Sequence, residues 1–124
     1  MRKHYAGTYR SGLEDKVSKD LQSKGIPFEY EKLKVKYTVP TIDRVYTPDF
    51  VVNGIIVETK GRFDLEDRKK HLLIKAGRPD LDIRFVFSNS KAKIRKGSPT
   101  SYGDWCTKNG FTYADKLIPD GWLQ

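Results

Sequence analysis

The chain has 124 residues, enough for one domain with a real core and too few for a second catalytic domain. Lysine and arginine total 24 against 16 acids, giving a formal charge of +8 and a pI near 9.6; that field favours polyanions, nucleic acid first, although many basic proteins are merely soluble. A lone cysteine, Cys106, excludes an intramolecular disulfide, and two distant histidines, His4 and His71, do not suffice for a Cys/His zinc site, so any metal would be held by oxygen.

The opening "MRKHYAGTYRSG" lacks the apolar core of a secretion signal, and no apolar run approaches the ~20 residues of a membrane span, so a cytosolic protein without membrane partners is expected. Residues 1–10 read as a basic arm, mobile until something acidic orders it. "SGLEDKVSKDLQSKG" predicts a helix: Ser11 and Glu14 have capping-box spacing, Leu13, Val17 and Leu21 form an apolar stripe, and Gly25 stops it. Next, "IPFEYEKLKVKYTVP" alternates apolar and polar residues but changes parity between Tyr30 and Leu33, which predicts a turn or bulge. The strand that follows presents Lys32, Lys34 and Lys36 on its polar face and reads as an exposed edge protected from aggregation.

"YTPDFVVNGIIVETKGRF" predicts two strands around Asn53-Gly54, a strong hairpin signal. "DLEDRKKHLLIKAG" reads as a helix capped by Asp64, burying Leu65, Leu72 and Leu73 and closed by Gly77. A buried strand "DIRFVFS" and a basic loop "NSKAKIRKGSPTSYG" follow; a short helix containing Cys106 starts at Ser101, with Asp104 three residues on in capping spacing, and stops at Gly110, and a last strand with a packed tail holding Trp122 completes the chain. The order α-β-β-β-β-α-β-α-β predicts an α/β sandwich on a mixed sheet, with early hairpins and one right-handed βαβ crossover after Gly61.

The chemistry concentrates in the hairpin. With Asn53 and Gly54 as turn residues, Val52 faces Ile55, Val51 faces Ile56, Phe50 faces Val57 and Asp49 faces Glu58, with Cβ atoms of the two acids ~5 Å apart. Lys60 shares the face of Glu58 by strand alternation. Like charges directly opposite each other destabilise a hairpin, and a divalent cation would compensate them. Carboxylates at this separation suit Mg²⁺, which can activate water and stabilise charge on a phosphate. The competing reading is two ordinary strand-end acids, one paired with Lys60. Likewise Gly61 can simply end the strand, and Arg62 can be a solvated charge rather than a phosphate contact.

"TPD" at residues 47–49 and "ETK" at residues 58–60 form the PD-(D/E)XK nuclease signature. Together with "RSGLEDKVSKDLQSKGIPFEYE", "DRKKHLLI" and "KGSPTSYGDWC…ADKLIP", they resemble the phage endonuclease I family, the junction-resolving enzymes of T-seven-like phages. The resemblance implies a restriction-endonuclease-like core, a central mixed sheet flanked by helices, in a domain-swapped, intertwined homodimer that cleaves four-way (Holliday) junctions and other branched DNA. It also implies one or two Mg²⁺ ions per site, with Mn²⁺ able to substitute, held by Asp49, Glu58, Thr59 and Glu14, while Lys60 completes the catalytic set. On this reading residues 11–34 are exchanged between subunits, so that Glu14 serves the partner's site, and residues 35–40 form a bridging strand paired with its copy. Arg2, Lys3, Arg10, Arg62, Lys91, Lys93, Arg95 and Lys96 are candidate DNA contacts, although each loop lysine can equally be a solvated charge. The rival functions are a homing or restriction-like enzyme that reads duplex sequence and a non-catalytic DNA-junction-binding protein.

Overall fold

The computed structural model describes residues 11–39 and 42–124; the arm at 1–10, with Arg2, Lys3 and Arg10, lies outside the described residues. Helix α1 (Gly12–Ser23) begins at Ser11, whose Oγ accepts the Glu14 N–H at 3.1 Å. A cap of this kind satisfies one of the open donors at a helix start and is worth about 1 kcal/mol. Val17 and Leu21 are buried, as their spacing predicts. Gly25, at φ +68°, turns the chain toward β1 (Glu29–Tyr30).

The parity change after Tyr30 is a true break between sheets. Glu31 adopts φ 52°, and β2 (Val35–Val39) belongs to a separate two-stranded sheet. Its neighbour there is β3 (Ile42–Tyr46), a strand missing from the predicted order, paired antiparallel from Val35↔Tyr46 to Val39↔Ile42. The lysine-faced strand is therefore covered on one edge within its own chain.

The main sheet runs β1-β4-β5-β6-β7, with β4 (Phe50–Val52), β5 (Ile55–Lys60), β6 (Ile83–Phe87) and β7 (Thr112–Asp115). Strands β1, β4 and β5 pair antiparallel, and β5, β6 and β7 pair parallel. Two helical crossovers result, through α2 (Leu65–Gly77) and α3 (Tyr102–Lys108), where the sequence reading counted one. Alternation along the strands separates two apolar layers. Ile56, Phe85 and Phe87 pack with Ile74 of α2 and with Tyr102, Trp105 and Cys106 of α3. Phe50, Val52, Val57 and Val86 pack with Val17 and Leu21 of α1 and with Ile118 of the tail. The tail ends in a 3-10 turn (Asp120–Leu123), with the Arg84 guanidinium over the Trp122 ring.

Helix α2 is capped by Asp64 as expected, but a different face is buried. Leu65 and Leu72 are exposed, whereas Arg68, His71 and Ile74 turn inward. Arg68 is accommodated because its Nη1 donates to the carbonyls of Phe63 and Ile94, so its burial does not leave the charge unsolvated. Capping at α3 matches expectation, with Ser101 and Asp104 bonding reciprocally. Cys106 lies in that helix, and burial pushes its thiol up to about 12. No helix among the described residues is long and apolar enough to cross a membrane.

Candidate active site

The β4–β5 hairpin has the predicted register. Asn53 and Gly54 take φ of 53° and 75°, the double left-handed turn that a type I′ hairpin requires, and the ladder pairs Val52↔Ile55, Val51↔Ile56 and Phe50↔Val57. Regular pairing stops at Phe50, so Asp49 lies where β4 meets the sheet end, beside Glu58 and Thr59. The two carboxylates do not simply face each other across the ladder. Glu58 Oε2 accepts the Asp49 N–H at 2.9 Å, while Asp49 Oδ2 accepts both the N–H and the hydroxyl of Thr59, at 2.9 and 2.8 Å. Each acid is thus oriented by the backbone of the opposite strand.

Glu58 is buried on β5, the central strand of the sheet, and pairs on the side away from β4 with Phe85 of β6. Lys60 Nζ approaches Glu58 Oε1 at 3.6 Å and Asp67 Oδ1, on the first turn of α2, at 3.4 Å. Burial raises the Glu58 carboxyl, and Lys60 and the Asp49 N–H oppose that rise without cancelling it. Asp49 is driven up to about 8, first by burial and then by the Glu58 charge, with Glu14 adding to the effect against the hydrogen bonds from Thr59. Burial pulls the Lys60 ammonium down, but Glu58, Asp67 and Asp49 outweigh it, so the amine stays charged.

Helix α1 brings the third predicted acid to this place. Glu14 is buried, and its Oε1 accepts the Tyr30 hydroxyl at 2.6 Å. One carboxylate oxygen each from Glu14, Glu31 and Asp49 lie within 4.8 Å of one another. Glu31 was not a sequence candidate. Its N–H donates to the Asp49 carbonyl at 3.0 Å, which ties the break after β1 to the end of β4. The parity change marked that break, but nothing in the spacing linked it to Asp49.

His71 is the other residue missing from the candidates. It projects from α2, is fully buried, and places Nε2 3.9 Å from Glu58 Oε1. Burial, helped by Lys60 and Lys70, lowers its pKa well below the ordinary range, so the ring is neutral.

An excess of buried negative charge, supplied by hard oxygen donors, fits a divalent cation such as Mg²⁺ or Mn²⁺. Thiolate and a cluster of imidazoles, which would suit softer metals, are not among the groups gathered here.

Among the described residues, the candidate DNA contacts frame the same end of the sheet. Lys60 and Phe87 are paired at the ends of parallel strands, and the Ser88 N–H donates to the Lys60 carbonyl at 3.0 Å. The basic loop therefore leaves the sheet directly beside Lys60. Lys91, Lys93, Arg95 and Lys96 are exposed along it, with Lys93 Nζ resting on the Pro99 carbonyl, and Arg62 is exposed two residues beyond Lys60.

The sequence matches the family model for phage endonuclease I over residues 1–124. It is 61% identical over 119 residues to Endonuclease I of Escherichia phage T7, covering 95% of this chain and 80% of that protein. With Endodeoxyribonuclease 1 of Enterobacteria phage T3 it shares 62% identity over 112 residues, 90% of this chain and 74% of the relative. Given a match along its whole length and identities of this size, the chain belongs to the phage endonuclease I family.

Proposed function

We propose that the protein is a Mg²⁺-dependent endodeoxyribonuclease of the PD-(D/E)XK type that cleaves four-way junctions and other branched DNA. The observation that carries this reading is the meeting of Asp49, Glu58 and Lys60 at one sheet end, with both carboxyls forced upward by burial and Asp49 further by the Glu58 charge. A pure binder of DNA has no use for that arrangement, since buried acids cost stability and repel phosphate. Two relatives whose names describe endonucleases support the same chemistry.

Asp49, Glu58, the Thr59 carbonyl and Glu14 would hold one or two ions, with Mn²⁺ able to replace Mg²⁺. A bound ion of this kind supplies an acidified water and Lewis-acid stabilisation of charge on the phosphate. The protein's own groups do the positioning. Thr59 fixes Asp49 through its N–H and hydroxyl, and the Asp49 N–H fixes Glu58. Lys60, kept cationic by three carboxylates, offers its ammonium to the attacking water or to a phosphate oxygen. The loop lysines and arginines, with Arg62 and the arm residues Arg2, Lys3 and Arg10, would hold backbone phosphates, which sets affinity and register rather than sequence preference.

The active unit in this reading is a homodimer that exchanges residues 11–34, so that Glu14 completes the partner's site with the contacts seen here within one chain. Two features support it: β2 has a single strand neighbour in its two-stranded sheet, and Val45 on β3 is 56% exposed. A two-fold dimer would present two equivalent sites and allow paired cuts across a junction.

The test is a labelled, immobile four-way junction with Mg²⁺, beside a linear duplex of the same arm sequence at matched salt. Paired symmetric nicks near the branch, with the duplex spared, are expected. Cutting at one duplex sequence regardless of branching would refute junction selectivity and favour an enzyme that reads sequence.

A further inference from the structure

His71 is a poor choice for stability alone. Its imidazole has no exposed surface, and neither ring nitrogen has a hydrogen-bond partner. Tyr46 and Phe85 meet it edge-on, at centroid distances of 5.3 and 4.9 Å, with Phe63 at 6.4 Å. A phenyl ring would fill such a cage without the cost of an unpaired buried polar atom. What histidine adds is an N–H donor, and Glu58 Oε1 lies 3.9 Å from its Nε2.

The two oxygens of Glu58 have different surroundings. Oε2 is already held by the Asp49 N–H at 2.9 Å. Oε1 is approached by Lys60 at 3.6 Å and by His71 at 3.9 Å, and the Tyr46 hydroxyl faces the same carboxylate without closing a hydrogen bond. Lys60 can act on a phosphate only by loosening its pairing with Glu58, which would leave Oε1 without its cation.

We infer that His71 is a positioning residue of the active site: its Nε2–H donates to Oε1 of Glu58 and holds that carboxylate in place as Lys60 turns toward the scissile phosphate. Closing the gap to a normal hydrogen bond of about 2.9 Å needs a movement of roughly 1 Å, within the reach of side-chain rotation. Histidine contributes through Glu58 and does not touch the substrate. Its part in cleavage rests on the nuclease reading above, whereas the hydrogen bond itself rests only on the geometry of the imidazole.

Two measurements test the two parts separately. The first is ¹⁵N NMR of the ring nitrogens in the metal-free protein. A protonated Nε2 and bare Nδ1 are expected, with the Nε2 signal moving in Glu58→Gln. The opposite tautomer overturns the inference whether or not the protein cuts DNA. The second compares His71→Phe, which fills the cage without a donor, and His71→Gln, which restores a donor near the Nε2 position. Phe is expected to keep the unfolding temperature and to bind a four-way junction within about twofold of wild type. It should cleave about 10–100-fold more slowly in single turnover and need more Mg²⁺, with Gln recovering part of the rate. A folded His71→Phe protein with wild-type rate and Mg²⁺ dependence overturns the inference. If that variant does not fold, the tautomer decides. A wild-type protein with the Nε2–H tautomer that cuts no DNA would support the hydrogen bond and refute the nuclease reading.

Discussion

Replacing Asp49 with Asn isolates the charge conflict at the centre of the site. Burial, then the Glu58 charge and, more weakly, Glu14 hold the Asp49 carboxyl at about 8, against 3.8 in an unfolded chain. Between those values the folded protein keeps a proton that the unfolded protein has released. Stability without metal must therefore fall as pH rises, by about 1.4 kcal/mol per pH unit. From pH 5 to pH 8 the loss is roughly 4 kcal/mol, a large share of the ~5–15 kcal/mol that stabilises a typical domain. Glu58 shifts in the same direction, whereas the lowered His71 makes the folded state easier to maintain as pH rises through the usual histidine range. Comparing the variant with the wild type cancels the His71 contribution and isolates the interacting Asp49–Glu58 pair. Asn also keeps an oxygen to accept the Thr59 N–H and hydroxyl. The assay is urea unfolding in EDTA at fixed protein concentration and at pH 5, 6.5 and 8. Asp49→Asn should be more stable than the wild type by about 1.5–2 kcal/mol at pH 5, and by roughly 5 kcal/mol at pH 8. Adding Mg²⁺ at pH 8 should narrow the gap by stabilising the wild type alone. Parallel pH profiles for the two proteins would refute the reasoning.

Lys60→Met removes the cation beside buried Glu58 and should cost about 3 kcal/mol of metal-free stability at pH 8, read by urea unfolding, while abolishing cleavage but not junction binding; unaltered cleavage would remove Lys60 from the site. Replacing Lys91, Lys93, Arg95 and Lys96 together with Ala should weaken junction binding and flatten the plot of log affinity against log salt by up to about 3.6 units, because each lost phosphate contact removes ~0.9. An unchanged slope would assign these residues to solvent. Leu65→Gln and Leu72→Gln should each alter stability by less than about 0.5 kcal/mol, since both side chains are exposed, and a loss of 2 kcal/mol or more in chemical denaturation would contradict the face assigned to α2.

The hairpin was legible because its determinants are local. Asn53-Gly54 accepts the left-handed turn, the turn sets the register, and the register brings Asp49 to Glu58. The caps at Ser11, Asp64 and Ser101 were legible for the same reason. Where the reading missed, distant parts of the chain decide. The leucines of α2 suggested a core stripe, but Arg68 could be buried because carbonyls of Phe63 and Ile94 receive it, and that follows from the path of the basic loop. Strand β3 is short and lies close in sequence to β4, so its alternation is hard to separate from that of β4. Glu31 and His71 carry no spacing that ties them to the triad. They arrive through the Asp49 carbonyl and through the packing of α2 over β5.

Single-turnover cleavage of a four-way junction by wild type and Glu58→Gln, with junction binding measured in parallel, tests the central claim most directly. Glu58 is buried and faces both Asp49 and Lys60, so the amide should leave binding intact and remove cleavage by a factor of 10³ or more. Cleavage by Glu58→Gln at the wild-type rate would show that the chemistry is done elsewhere and contradict the account.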